Sequence, residues 1–198
     1  AIDNHVAEYG AYETFDRIFI AHSWGKLHDL PNAEWLPCAH DPLHHFVIDE
    51  KRPRPIDVLM LGNPYPARVE LAQAIRAAGI HLVMATGVVY DQYNAAYNQA
   101  KIALVKSSCG DVAMRVFENM AQGCLVVADV ATDMEKCGFG YATEYMPYWD
   151  TDNCVAIIGD ILNKYDKPIY QDVIKYARAA VAPHTWSARI QHIIDTVT

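Results

Sequence analysis

Short apolar runs alternating with helical patterns constrain this chain more than any other feature. "IDVLMLG" at 56–62 is almost wholly apolar, and "PARVELAQAIRAAG" at 66–79 follows with proline in its first turn, apolar residues three and four apart, and a closing Gly79. "IHLVMATG", "DQYNAAYNQA", "IALVKSS", "DVAMRVFENMAQG" and "CLVVADV" repeat the alternation. Strands apolar on both faces need cover on both, which a parallel sheet obtains from its crossover helices. The expected fold class is therefore α/β, a Rossmann-like doubly wound parallel sheet. Right-handed crossovers then place ligands at the carboxyl ends of the strands, where the loops Gly62-Asn63-Pro64 and Ser107 to Asp111 must lie. Beyond residue 150, "NCVAIIGDILNKY", "PIYQDVIKYARAAVA" and "HTWSARIQHIIDTV" predict helices that close the flank.

Composition narrows the function classes. With 198 residues, about half of them apolar, the chain can build one generous domain or one domain and part of another. A formal charge of −8 argues against broad nucleic-acid binding, which needs a basic face, so an anionic ligand must be gripped locally. Five cysteines, odd in number and without a C-x-x-C pair, suggest neither a disulfide framework nor a zinc site. The sequence contains no apolar run near the ~18 residues of a membrane span and no signal-peptide pattern, so a cytoplasmic chain is expected.

Residues 1–55 read differently. "FDRIFIA" and "EWLPC" suggest strands, while "DEKRPRPID" is a charged, proline-bearing stretch of linker type. The expected division is a partial first domain with linker at 1–52 and the sheet domain at 53–198.

Residues 111–118 carry the strongest local signal. A helix start offers unpaired N–H groups and a positive dipole end, and Arg115 one turn in adds a fork of donors matched to phosphate oxygens. Glu118 follows on the same face, and Lys101, at the end of "YNQAK", is a second candidate phosphate contact. The plain alternative makes Asp111 an N-cap, Arg115 and Glu118 a surface pair, and Lys101 a solvated cation. In "LGNPYPAR", Gly62 after a buried strand permits close backbone approach, with Asn63, Tyr65 and Arg68 able to project toward a ligand; an ordinary strand-to-helix turn fits equally. The histidines of "HDPLHH", His40, His44 and His45, offer metal-ligand types with Asp41, but Pro42 breaks the segment and solvated or packed histidines are the preferred reading. A dinucleotide-dependent oxidoreductase is disfavoured because "LGNPYP" lacks G-x-G-x-x-G and no acid follows a second strand at the expected distance.

In order and spacing, "YNQAKIALVKSS", "DVAMRVFENMAQGCLVVADV" and "HTWSARIQHII" resemble the nucleotide-binding half of GT-B glycosyltransferases, particularly the group related to bacterial spore-maturation glycosyltransferases. "AIDNHVAEY", "FDRIFIA" and "WLPCAHDPLHHF" resemble the end of that group's N-terminal domain, whose opening strands this sequence lacks. The expectation is a fragment, or a chain whose homo-oligomeric or separate partner supplies the missing half. The resemblance implies a nucleotide-diphosphate sugar donor, an unspecified acceptor, no bound metal and no cofactor. It implies that Glu118 accepts the ribose hydroxyls, that the loop ending at Gly87 lies by the nucleobase edge, and that "AIDNHV" approaches the cleft, making His5 a candidate base. Where many retaining relatives have a first glutamate, this chain has Gly110, with Asp111 next to it as a shorter substitute toward the donor sugar. A non-catalytic nucleotide-sugar-binding or scaffold module is the rival reading.

Overall fold

The computed structural model describes residues 2–3, 15–23, 30–107 and 110–198. Strands β1 (Ile2–Asp3), β2 (Ile18–Ile20) and β3 (Ala33–Trp35) form a small parallel sheet in that order. A second parallel sheet is built from β4 (Ile56–Leu61), β5 (Leu82–Ala85), β6 (Ala100–Val105), β7 (Leu125–Asp129) and β8 (Met146–Tyr148), in the order β5-β4-β6-β7-β8. The chain steps from β4 outward to β5 and then returns past β4 to β6. The carboxyl ends of β4 and β6 thus flank the topological switch point, where an open α/β sheet leaves a crevice.

Alternation along the strands divides the core. Leu59, Leu61, Ala103, Val105, Val126 and Ala128 point to one face, and Val58, Met60, Ile102, Leu104, Leu125 and Val127 to the other; all are buried. Tyr97 from α2 (Tyr90–Tyr97) covers the first face, together with Val116, Phe117 and Met120 from α3 (Met114–Ala121). Leu71 and Ile75 from α1 (Pro66–Ala77) and Ile158 and Ile161 from α4 (Thr151–Lys164) cover the second. Each such fully buried aliphatic side chain contributes about 1.5–3 kcal/mol relative to exposure. Helix α5 (Pro168–Val181) reaches both faces, with Tyr170 and Val173 in one cluster and Ala177 and Val181 in the other. The doubly wound sheet expected from the apolar runs is present.

Two expectations are corrected. Strand β8 was hidden in "YMPYW", because its three residues are too few to show a period and a proline sits among them. The expected helix at Asp111 begins at Met114, with Ala113 as its N-cap, so Asp111 lies outside the helix and does not cap it.

The final helix, α6 (Trp186–Val197), returns to the first segment rather than to the large sheet. Arg189 donates from Nε to the Pro37 carbonyl at 2.9 Å, and His192 meets Glu34. The connector between the sheets is stitched to α2 as well: Phe46 and Ile48 donate N–H to the Asn94 and Asn98 side-chain oxygens at 3.3 and 2.8 Å, and Asn98 Nδ2 donates to the Phe46 carbonyl at 2.9 Å. Cys38, Cys124, Cys137 and Cys154 are free and buried, and burial raises their thiols to about 11, 11, 12 and 12. Among the described residues, no helix is long and apolar enough to cross a membrane.

Candidate functional site

The two helices that start beside the switch point, α1 and α3, begin without a side-chain cap and without an acidic residue in the first turn. Elsewhere α4 and α6 are capped by Asp150 and Thr185. Uncapped starts keep N–H groups and dipole ends available to an anion. Between them sits Gly62, at φ +132°, a conformation that side-chain-bearing residues rarely adopt. A Cβ there would lie 2.9 Å from Arg115 Nη1 and 3.2 Å from Arg68 Nη1. Two guanidinium groups therefore converge on one backbone position, and the missing side chain is what admits them.

Their roles differ. Arg68 is 5 % exposed and is spent on the fold: Nε and Nη2 donate to the Lys106 carbonyl at 3.0 and 2.8 Å, and Nη1 to the Asn63 carbonyl at 3.2 Å. It ties the loop after β4 to the loop after β6. Burial, and then the charge of Arg115, lower the pKa of Arg68. Arg115 is half-buried, and among the described residues it has no hydrogen-bond or ion-pair partner. The loop after β6 is braced from β7, whose Asp129 accepts from the Ser107 N–H and hydroxyl at 2.9 Å each and pairs with Lys106 at 3.2 Å.

Beside Arg115 opens a cleft of about 480 Å³, within the range of small-ligand pockets. Glu118 and Met114 form one wall, Val88, Val89, Tyr90 and Tyr93 another, and His45 and Trp186 close it. Glu118 is 6 % exposed, not on a solvated face, and it is not paired with Arg115. The Tyr93 hydroxyl donates to its Oε2 at 2.6 Å, and His45 Nε2 stands 3.6 Å from its Oε1. Burial raises the Glu118 carboxyl pKa, against the lowering effects of the Tyr93 hydrogen bond and the Arg115 charge. Tyr90 has φ +52°, an outlier for a bulky residue, and is 77 % exposed at the cleft rim.

The structure thus brings Gly62, Arg68, Arg115 and Glu118 to one edge of the sheet. Asn63 is exposed in the same loop, its amide 3.4 Å from the Tyr65 hydroxyl. Gly87, at φ +72° with open space around it, shapes the turn that delivers Val88 and Val89 to the cleft. Asp111 lies near enough to act electrostatically on Arg68 and Cys38. His5 lies outside the described residues.

Lys101 is not part of this edge. It is the second residue of β6, at the amino end of the strand, and its Nζ pairs with Asp57 Oδ1 of β4 at 2.7 Å. The strand begins two residues earlier than "IALVKSS" suggests, at Ala100, and that puts Lys101 in the sheet with its end away from the cleft. Lys101→Ala is expected to leave nucleotide affinity unchanged by calorimetry and to cost less than about 1 kcal/mol in a denaturant melt, as for half-exposed pairs.

Sequence reasoning missed His45 and Tyr93 as partners of Glu118. The Tyr90, Tyr93 and Tyr97 spacing on one helix was a usable signal, and "HDPLHH" drew notice only for metal. Among the described residues, no cluster is suited to hold a metal ion.

An open parallel sheet with a braced, arginine-bearing crevice at its switch point defines the class, a doubly wound α/β domain with its ligand crevice at the carboxyl ends of the strands. The chain belongs to the glycosyl transferase-like family, whose sequence profile matches residues 44–195. Comparison with curated protein sequences gave no match. Among solved structures, a glycosyltransferase from Rickettsia africae is similar at TM-score 0.74 and 7% identity, over 91% of this chain and 62% of that one. Anabaena HepE, solved in complex with UDP, is similar at TM-score 0.71 and 12% identity, over 92% and 63%. Sucrose-phosphate synthase from Thermosynechococcus elongatus is similar at TM-score 0.70 and 14% identity, over 93% and 58%. The chain spans about three fifths of the length of these proteins.

Proposed function

We propose that this chain is the donor-binding half of a glycosyltransferase that uses a nucleotide-diphosphate sugar without a bound metal ion. The observation that carries the reading is the convergence of Arg115 on Gly62, next to the cleft that holds Glu118. A nucleoside fits the cleft with its ribose toward Glu118, and its diphosphate then reaches the start of α3 and Arg115. In transfer, the bond from the sugar's anomeric carbon to the diphosphate oxygen breaks with the electron pair leaving on the diphosphate. A new bond forms from an acceptor oxygen, whose proton passes to a base. Arg115 and the N–H groups at the start of α3 are placed to stabilise the departing charge, the task that a divalent cation performs in other designs. Asp111 is proposed to face the donor sugar and His5 to serve the acceptor side, while the acceptor itself binds on a half supplied by further chain or by a partner. HepE, whose structure contains UDP, makes a uridine nucleotide a sensible first probe.

The test is calorimetry with UDP, GDP, ADP and CDP in excess chelator, followed by turnover of the matching nucleotide sugar. One of the four is expected to bind with chelator present. Binding of all four only after a divalent metal is restored would overturn the metal-free reading. Binding without any donor turnover, even with acceptor-side chain present, would favour a non-catalytic module.

A further inference from the structure

We infer that His45, from the connector ahead of the large sheet, reads one ribose hydroxyl together with Glu118, an inference that rests on the nucleotide reading above. The Glu118 carboxylate is used unequally: Oε2 accepts from the Tyr93 hydroxyl at 2.6 Å, whereas Oε1 faces His45 Nε2 across 3.6 Å. That separation is too long for a hydrogen bond and short enough for one oxygen atom to contact both groups.

The proton on the ring is assigned by its other nitrogen. His45 Nδ1 accepts the Asp41 N–H at 3.1 Å, so the neutral ring carries its hydrogen on Nε2, toward Glu118. Burial lowers the pKa of His45 and favours that neutral form. The cleft therefore presents an acceptor and a donor side by side. A hydroxyl is the ligand group that satisfies both at once, giving its hydrogen to Oε1 and receiving one from Nε2. An ether, a methylene or a carbonyl oxygen satisfies one at most.

The position is built, not incidental. The His44 and His45 N–H groups both bond to the Asp41 carbonyl, at 3.0 and 2.8 Å, and Leu43 N–H bonds to Asp41 Oδ1 at 2.9 Å, which closes a tight turn around Pro42. Asn94 and Asn98, 4 % and 2 % exposed, hold the next residues of the connector on α2. The His45 ring meets the Tyr93 ring edge-on at 5.8 Å. The turn thus brings His44 and His45 to the cleft and sets His45 against Glu118.

The experiment compares whichever of UDP, GDP, ADP and CDP binds the wild type most tightly with its 2′-deoxy and 3′-deoxy forms. His45→Phe keeps the ring and its packing but has no N–H, and His45→Gln keeps a donor. Wild type is expected to prefer the ribose ligand over one of the two deoxy forms. His45→Phe should reduce that preference by about three- to tenfold, the scale of one net hydrogen bond, and His45→Gln should retain more of it. Full preference in His45→Phe, or an equal loss for ribose and deoxyribose ligands, would overturn the assignment. Failure of the wild type to bind any of the four would instead sink the underlying nucleotide reading.

Discussion

Arg115→Ala is expected to weaken nucleoside diphosphate binding by about 10- to 100-fold, the scale of about 1.5–3 kcal/mol for hydrogen bonds to a charged group, while the corresponding nucleoside binds within about twofold of wild type. The difference between ligands follows from where the guanidinium lies. It lines the same cleft as Glu118 but carries its Nη1 to within 2.9 Å of where a Cβ on Gly62 would sit, next to the end of β4, which is where the proposed diphosphate lies. Because Arg115 has no hydrogen-bond or ion-pair partner among the described residues, its removal leaves no polar group unpaired in the unliganded protein; the lost support of the Glu118 charge is offset by relief of Arg68, and the melting temperature should move less than for Arg68→Ala. Arg68→Ala should behave otherwise. Three donations to the Lys106 and Asn63 carbonyls are lost at once, so both loops loosen and stability falls together with affinity. Arg115→Lys keeps the charge and loses the planar fork, and should fall between wild type and alanine. Calorimetry with the diphosphate and the nucleoside checks the set; equal losses for the two ligands with Arg115→Ala would remove it from the phosphate site.

The parts of this architecture that were legible in the sequence are those set by burial. Val58 to Leu61, Ile102 to Val105 and Leu125 to Ala128 are apolar at every position because the sheet is covered on both sides, and that continuous pattern names a parallel α/β fold. The position of Arg115 and Glu118 at the cleft was legible for a related reason, since two charged residues near the start of a short helix between buried strands need an opening to face. What stayed hidden depends on contacts between distant segments. Nothing local in "HDPLHH" shows that Asn94 and Asn98, about fifty residues on, strap it against α2 and turn His45 to Glu118. Lys101 was misplaced because the boundary between "YNQAK" and the following strand carries no glycine or proline; two residues of shift decided between a helix end and the amino end of β6.

Glu118 gives the second large effect, and it separates function from stability. Glu118→Ala removes the acceptor for the ribose hydroxyl and is expected to cost about 1.5–3 kcal/mol in nucleotide affinity, with most of the preference for ribose over 2′- or 3′-deoxyribose ligands lost and only the share that His45 supplies retained. Alanine also leaves the Tyr93 hydroxyl without its acceptor, so the stability comparison is cleaner with Glu118→Gln, which retains a carbonyl oxygen there. Burial raises the folded-state pKa of Glu118 above the ordinary 4.5. For a carboxyl raised in this way, the associated stability is fully present below the unfolded value, near 4.5, and is lost as pH rises through the folded one, because ionising the buried acid costs free energy. At neutral pH the wild type carries that cost and Glu118→Gln does not. The glutamine variant should therefore melt at a higher temperature than wild type at pH 7, with the gap closing as pH is lowered toward 4.5. A carboxyl group kept buried in a cleft at a cost to the fold is one held for a ligand. Should Glu118→Gln melt no higher than wild type at pH 7 and bind ribose and deoxyribose nucleotides as wild type does, Glu118 would be a packed acid served by Tyr93, and the cleft would not be a nucleoside site.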